Sequence, residues 1–279
     1  MNDVLKKAYL EITDICNLSC KFCPGTKREK RYMTTEEFRT GAEKLRPYTE
    51  FLYLHLMGEP LLHPQLDKIL CIAGELQFKV IITTNGTLLP DRGGLLLTSQ
   101  AVHRINISLQ SFEANEGGRF EEYIRGCAAF AEEAGKCSKI CVLRLWNHNG
   151  FETLNADIEK LLADYFPKPW KKSRQSFVLA DKVFLEPGER FDWPDISAED
   201  RGKSCFCYGL RDQIGVLCDG TVVPCCLDHE GDIALGNLFD SSLDEILSSE
   251  RAQAIYNGFS CRTAVEPLCR RCGYARRFT

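Results

Sequence analysis

Six short β-rich runs lie between residues 8 and 186, at Ala8–Ile12, Phe51–Met57, Lys79–Thr83, Arg104–Leu109, Ile140–Leu145 and Phe177–Leu185. Amphipathic stretches of helical period separate them, at Gln65–Leu76, Phe120–Ala134 and Phe151–Asp164. Another such stretch opens at Thr34-Thr35-Glu36-Glu37, where hydroxyls can cap a helix and the acids suit its N-terminal dipole. Repeated strand–helix–strand units predict a parallel sheet with helices packed outside. Six such strands suit an α/β chain folded as a partial (β/α)6 barrel, open on one side. Ligands of such sheets bind at the C-terminal ends of the strands.

Cys16, Cys20 and Cys23 follow the first run directly and so fall at that end. Three thiolates from one loop can hold three corners of a 4Fe–4S cube, leaving one iron open to a small molecule. Zinc is the alternative, but a structural zinc site wants a fourth Cys or His close by. The nearest histidines, His55 and His63, belong to another element. Of the fifteen cysteines, eight lie after position 200. With no export signal and no apolar run of membrane-spanning length, the expected setting is a reducing cytoplasm, where clustered cysteines read as metal or iron–sulfur sites. Cys71, Cys127, Cys137 and Cys141 are scattered and read as small hydrophobes. A net charge of −4 advertises no nucleic-acid surface.

Around Pro187–Asp200 the texture turns to Pro, Gly, Trp and charge, which divides the chain into units at 1–190 and 191–279. In the second unit, Asp219-Gly220 between two β-rich runs predicts a hairpin that brings Cys207 and Cys225 together. Cys269 and Cys272 complete a set of four, able to hold a closed cluster or a zinc ion. Cys205, Cys226 and Cys261 are neighbours that compete for the same places.

These residues resemble the radical S-adenosylmethionine (SAM) enzymes. Phe22, before Cys23, stands where that family packs an aromatic ring on the adenine. Gly58-Glu59-Pro60 resembles the segment beside the SAM amino group. Asn85, Ser108 and Gln110, in Thr83-Thr84-Asn85-Gly86 and Asn106-Ile107-Ser108-Leu109-Gln110, resemble the segments that meet the ribose and carboxylate. Arg144 stands at a further SAM-contact position. The C-terminal cysteines resemble the twitch domain, a small α+β shortened form of the SPASM domain that holds one auxiliary 4Fe–4S cluster.

The resemblance implies a 4Fe–4S cluster ligated by Cys16, Cys20 and Cys23 that binds SAM, and an auxiliary cluster on Cys207, Cys225, Cys269 and Cys272. It implies reductive cleavage of SAM to a 5′-deoxyadenosyl radical, a reductant such as flavodoxin or ferredoxin, and hydrogen abstraction from a small substrate. Outcomes known in the family include lyase cleavage of the queuosine type, dehydrogenation of an alcohol or aminocyclitol, and peptide modification. Asp228 and His229 follow the predicted hairpin and are the leading substrate-side candidates, with Glu186 a third on position alone. Trp146, Trp170 and Trp193 receive no role. The reading from a different class is a zinc-stabilised binding protein.

Overall fold

A computed structural model describes residues 5–114, 119–150 and 152–278. Its centre is a run of parallel strands: β1 (Lys7–Leu10), β2 (Phe51–Tyr53), β3 (Lys79–Thr84), β4 (Val102–Ser108), β5 (Ile140–His148) and β8 (Val183–Glu189). The helices between them are α1 (Thr35–Leu45), α2 (Leu66–Glu75), α3 (Leu89–Thr98), α4 (Phe120–Lys136) and α5 (Asn155–Tyr165). They cover one face of the sheet, which stays open as predicted, with β11 at one edge and β6 at the other.

Period-two alternation decides which side chains face which way. Ala8 and Leu10, Val80 and Ile82, Ile105 and Ile107, and Cys141 and Leu143 are buried under the helices. The alternate positions, Lys7, Tyr9, Tyr53, Thr83, Ser108 and Arg144, face the concave side and line a cavity. Helix α1 starts at a capping box: Thr34 Oγ1 accepts from Glu37 N at 3.1 Å, and Glu37 Oε2 accepts from Thr34 N at 2.8 Å.

Two strand predictions need correction. Phe177–Leu185 is not one strand but two antiparallel ones, β7 (Ser176–Ala180) and the start of β8. The chain reverses at Asp181-Lys182, with Lys182 at φ 59°, a turn hidden inside a continuous β-rich run. Strand β7 pairs outward with β6 (Lys171–Ser173), so β8 is the sixth parallel strand. Regular pairing in β2 ends at Tyr53 rather than Met57. The predicted helix start at Phe151 lies outside the described residues; α5 begins at Asn155.

The hairpin forms as expected, from β9 (Gln213–Val216) and β10 (Thr221–Val223), with β11 (Gly236–Asn237) beside β10. Its placement was not foreseen. Strand β9 pairs in parallel with β1, so the C-terminal cysteines hang from an extension of the same sheet. Helices α6 (Leu243–Ser248) and α7 (Glu250–Ser260) lead to the last two cysteines. Among the described residues, no helix is long and apolar enough to cross a membrane.

Candidate functional site

One cavity of about 1140 Å³ opens at the C-terminal ends of the strands and runs down the concave face. Cys16, Cys20 and Cys23 all line it. The loop is turned by a bond from Cys23 N to Cys20 O at 2.9 Å. Cys16 Sγ accepts from Leu18 N at 3.5 Å and is reached by the Asn85 amide at 3.9 Å. Donors aimed at sulfur favour the thiolate and tune an iron–sulfur centre.

The strand-end residues are assembled around this loop. Glu59 is almost fully buried, and both carboxylate oxygens are used: one accepts from Leu61 N at 3.0 Å, the other from Asn85 N at 2.7 Å. Its own N–H donates to Ile15 O at 2.8 Å. Burial pushes its carboxyl pKa up, against these bonds. Glu59 therefore ties the ends of β2 and β3 to the cysteine loop. Asn85 Nδ2 in turn donates to Asn17 Oδ1 at 2.9 Å, and Thr87 N donates to Asn85 Oδ1 at 2.9 Å. Gln110 is buried at the wall with an Oε1 that accepts no hydrogen bond from any other described residue. Phe22, Gly58, Ser108 and Arg144 line the same cavity, so all seven residues singled out for the cofactor converge.

Gly58 is required by geometry. Its φ is +72°, and a Cβ there would sit 2.4 Å from Thr13 O. Gly58→Ala is expected to cost about 1–3 kcal/mol of unfolding free energy and to weaken SAM binding. Denaturant melts and equilibrium dialysis with SAM measure the two effects.

A second, small cavity of about 30 Å³ is ringed by Cys205, Cys207, Cys225, Cys269 and Cys272, with Leu268, Phe259 and Ile233 as apolar packing. Burial, and then the neighbouring thiols, push the thiol pKa of Cys225 and Cys269 well up; Cys207 reaches about 12. Among the described residues, no Lys or Arg lines this cavity to offset four thiolates. Iron supplies the missing positive charge, so the donor set fits a closed cluster. Among the described residues, no three His, Cys, Asp or Glu side chains are arranged around a single-ion site.

Cys207 is the better placed of the competing pair. Cys225 and Cys269 both sense its charge, and its Sγ accepts from Gly209 N at 3.4 Å. The Cys205 thiol turns to Phe206 O at 3.5 Å. Cys218 is buried against Glu11 O, and Cys261 is exposed. Cys226 faces the large cavity. Cys207→Ser is expected to lose about half the iron of the anaerobically prepared protein, and Cys205→Ser to keep it, by iron and sulfide assay.

The three residues proposed for the substrate side are not on the large cavity. Asp228 is buried; Oδ1 and Oδ2 accept from Asp232 N and Ile233 N, both at 2.9 Å. It holds the turn after the hairpin and borders the small cavity. His229 stands edge-on to Trp193 at 5.6 Å and 3.7 Å from Glu230. Glu186 lies behind the wall, taking Trp146 Nε1 at 2.9 Å and Arg104 at 3.3 Å. What sequence reasoning missed is the inward face of β1 and the β2 region: Lys7, Tyr9, Tyr53 and His55. The signal was there, since Lys7-Ala8-Tyr9 and Tyr53-Leu54-His55 alternate polar or aromatic with apolar.

The family model described as the Radical SAM superfamily matches residues 10–158, more than half of the chain. The chain belongs to this superfamily. A second model, the SPASM iron–sulfur cluster-binding domain, matches residues 205–273. The protein is thus a radical SAM enzyme whose cofactors are a 4Fe–4S cluster with SAM and an auxiliary iron–sulfur cluster. This overturns the zinc-stabilised binding protein. Enzymes of the superfamily act on small molecules or peptides and draw on a reductant.

Among curated relatives, the AdoMet-dependent heme synthase of Oleidesulfovibrio alaskensis is 25% identical over 45% of this chain and 34% of its own length. The GTP 3′,8-cyclase of Limosilactobacillus fermentum is 27% identical over 63% of this chain and 59% of its own. The chain thus spans less than two thirds of these relatives. Among solved structures, BtrN in complex with AdoMet and 2-DOIA superposes with TM-score 0.62 at 18% identity, covering 98% of this chain and 94% of that one. Streptococcus suis SuiB bound to S-adenosylmethionine gives 0.64 at 17% identity, covering 97% and 72%. Likeness at this identity is likeness of fold.

Proposed function

We propose that the enzyme abstracts a hydrogen atom from a compact, planar small molecule, with a modified nucleoside as the leading substrate and lyase cleavage of the queuosine type as the leading outcome. The observation that carries this reading is the single large cavity with two unlike ends. A drug-sized ligand fills a pocket of roughly 300–1000 Å³, so about 1140 Å³ leaves room for a second compact molecule beside SAM. Away from the cysteine loop the cavity is walled by Tyr9, Tyr53 and Trp146, faces on which a heterocycle stacks.

SAM bound at the reduced cluster supplies a 5′-deoxyadenosyl radical. The chain's share is placement: the Glu59–Asn85 bond network sets the cysteine loop against the strand ends, and the aromatic wall holds the substrate and keeps water out. A second reading is dehydrogenation of an alcohol carbon, for which a closed cluster on Cys207, Cys225, Cys269 and Cys272 would supply the electron acceptor.

The test is anaerobic incubation of the holoenzyme with SAM, dithionite and queuosine, following 5′-deoxyadenosine and free base by mass spectrometry. Free base rising with deoxyadenosine supports the lyase. Deoxyadenosine at the level seen without queuosine removes the nucleoside reading, and alcohol substrates are then tried for an oxidised product.

A further inference from the structure

The large cavity reaches well beyond the cysteine loop. Lys7, Phe51 and Gln213, the first residues of β1, β2 and β9, also line it. At this inner end the charges do not balance. Lys6 and Asp212 pair with each other at 2.7 Å and cancel. The Lys7 ammonium lies 5.3 Å from the ring centre of Tyr9 and 5.2 Å from that of Tyr53. No ion pair or hydrogen bond joins that ammonium to another described residue. Arg144 stacks on Trp146 at 4.4 Å, and its Nε has no hydrogen-bond partner among the described residues. Its one acid, Glu186 at 3.7 Å, is shared with Arg104. Two cations, Lys7 and Arg144, thus line this end, and the one acid beside Arg144 is shared with Arg104 behind the wall.

Aromatic faces attract a cation but do not neutralise it. Uncompensated charge in a partly desolvated site is costly and is relieved by a counter-ion. His55 adds a polar group without adding charge. Its imidazole stands edge-on to Tyr9 at 5.6 Å, its Nδ1 has no hydrogen-bond partner among the described residues, and burial holds its pKa at about 3, so it stays neutral. The site therefore offers an ammonium, a guanidinium and a neutral imidazole around one space, which is the donor set for an oxyanion.

We infer that the inner end of the cavity binds an anionic group of the substrate, a phosphate or carboxylate remote from the reacting carbon (for a modified nucleoside, the phosphate of its 5′-monophosphate), with Lys7 as its charged anchor and Arg144 beside it. This rests on the reading that a second molecule shares the cavity with SAM. Binding energy gathered at such a distance orients the carbon that reacts.

The test is equilibrium dialysis of radiolabelled orthophosphate, and in a parallel run acetate, against oxidised holoenzyme saturated with SAM at low salt. Saturation keeps the SAM carboxylate in its own place, and the two runs tell which oxyanion the site takes. The expected result is one saturable site per chain for at least one of them. Lys7→Met should weaken it at least tenfold, Lys7→Arg should keep it within about threefold, and Lys160→Met, at an exposed lysine of α5 away from the cavity, should leave it unchanged. Iron content and visible absorbance matching the parent certify each variant as folded, with Lys7→Gln in reserve. No saturable uptake of either anion, parent-like affinity in Lys7→Met, or equal loss in Lys160→Met overturns the inference. Dialysis needs neither reductant nor turnover, so its failure is separate from failure of the queuosine experiment.

Discussion

Replacing Cys16, Cys20 and Cys23 together by alanine is expected to abolish 5′-deoxyadenosine formation from SAM while leaving roughly half of the iron bound. The two thiol sets line separate cavities, and no cysteine borders both. Loss of one cluster therefore need not carry the other with it. The converse change, Cys269→Ala with Cys272→Ala, should also remove roughly half of the iron, but here SAM cleavage should survive better than substrate turnover. Iron and sulfide assays, with deoxyadenosine measured in the presence of dithionite, read both outcomes. Full iron in the first variant would mean that the loop thiols hold no cluster. Complete loss of iron would mean that the two sites fold as one unit, coupled through the pairing of β9 with β1 and the bonds of Glu11 and Arg28 to the hairpin.

How far the chain could be read before it was seen folded depends on the range of each contact. Alternation placed the loop thiols, Gly58-Glu59-Pro60 and Asn85 beyond the ends of short strands, and the resemblance to radical SAM enzymes is what assigned Glu59 and Asn85 to the cofactor. The reversal at Asp181-Lys182 was missed because no glycine or proline marks it and the flanking residues are equally β-rich. Asp228 and His229 were chosen for nearness in sequence to Cys225. Yet the Asp228 carboxylate is consumed by two backbone donors within five residues, a local turn bond that competes with any outward role. Lys7 and His55 show the opposite failing. Each looks ordinary on its own strand, and only the curvature of the sheet brings them to one space with Arg144.

Arg28→Met is expected to lower the unfolding free energy by about 3–5 kcal/mol, the usual loss when one partner of a buried ion pair is removed. Glu11 is fully buried, and Arg28 grips both of its oxygens, with Nη2 to Oε1 and Nη1 to Oε2 each at 2.9 Å. The same two oxygens accept from Met57 N at 3.0 Å and Cys218 N at 3.1 Å. Arg28 Nε also donates to His229 O at 2.8 Å. One pair thus joins the end of β1, the segment before Gly58, the stretch after the cysteine loop, and the C-terminal hairpin. Against a total stability of roughly 5–15 kcal/mol, the loss should show as a large fall in the denaturant midpoint. Glu11→Leu combined with Arg28→Met leaves no lone charge and should recover part of it, whereas Glu11→Leu alone should not. A purely structural pair would change the melts and nothing else. Because this one braces the cysteine loop against the hairpin, the single variants should also shift the electron paramagnetic resonance signal of the reduced SAM-binding cluster. A shift in stability with an unaltered signal would show that the loop keeps its geometry without the brace.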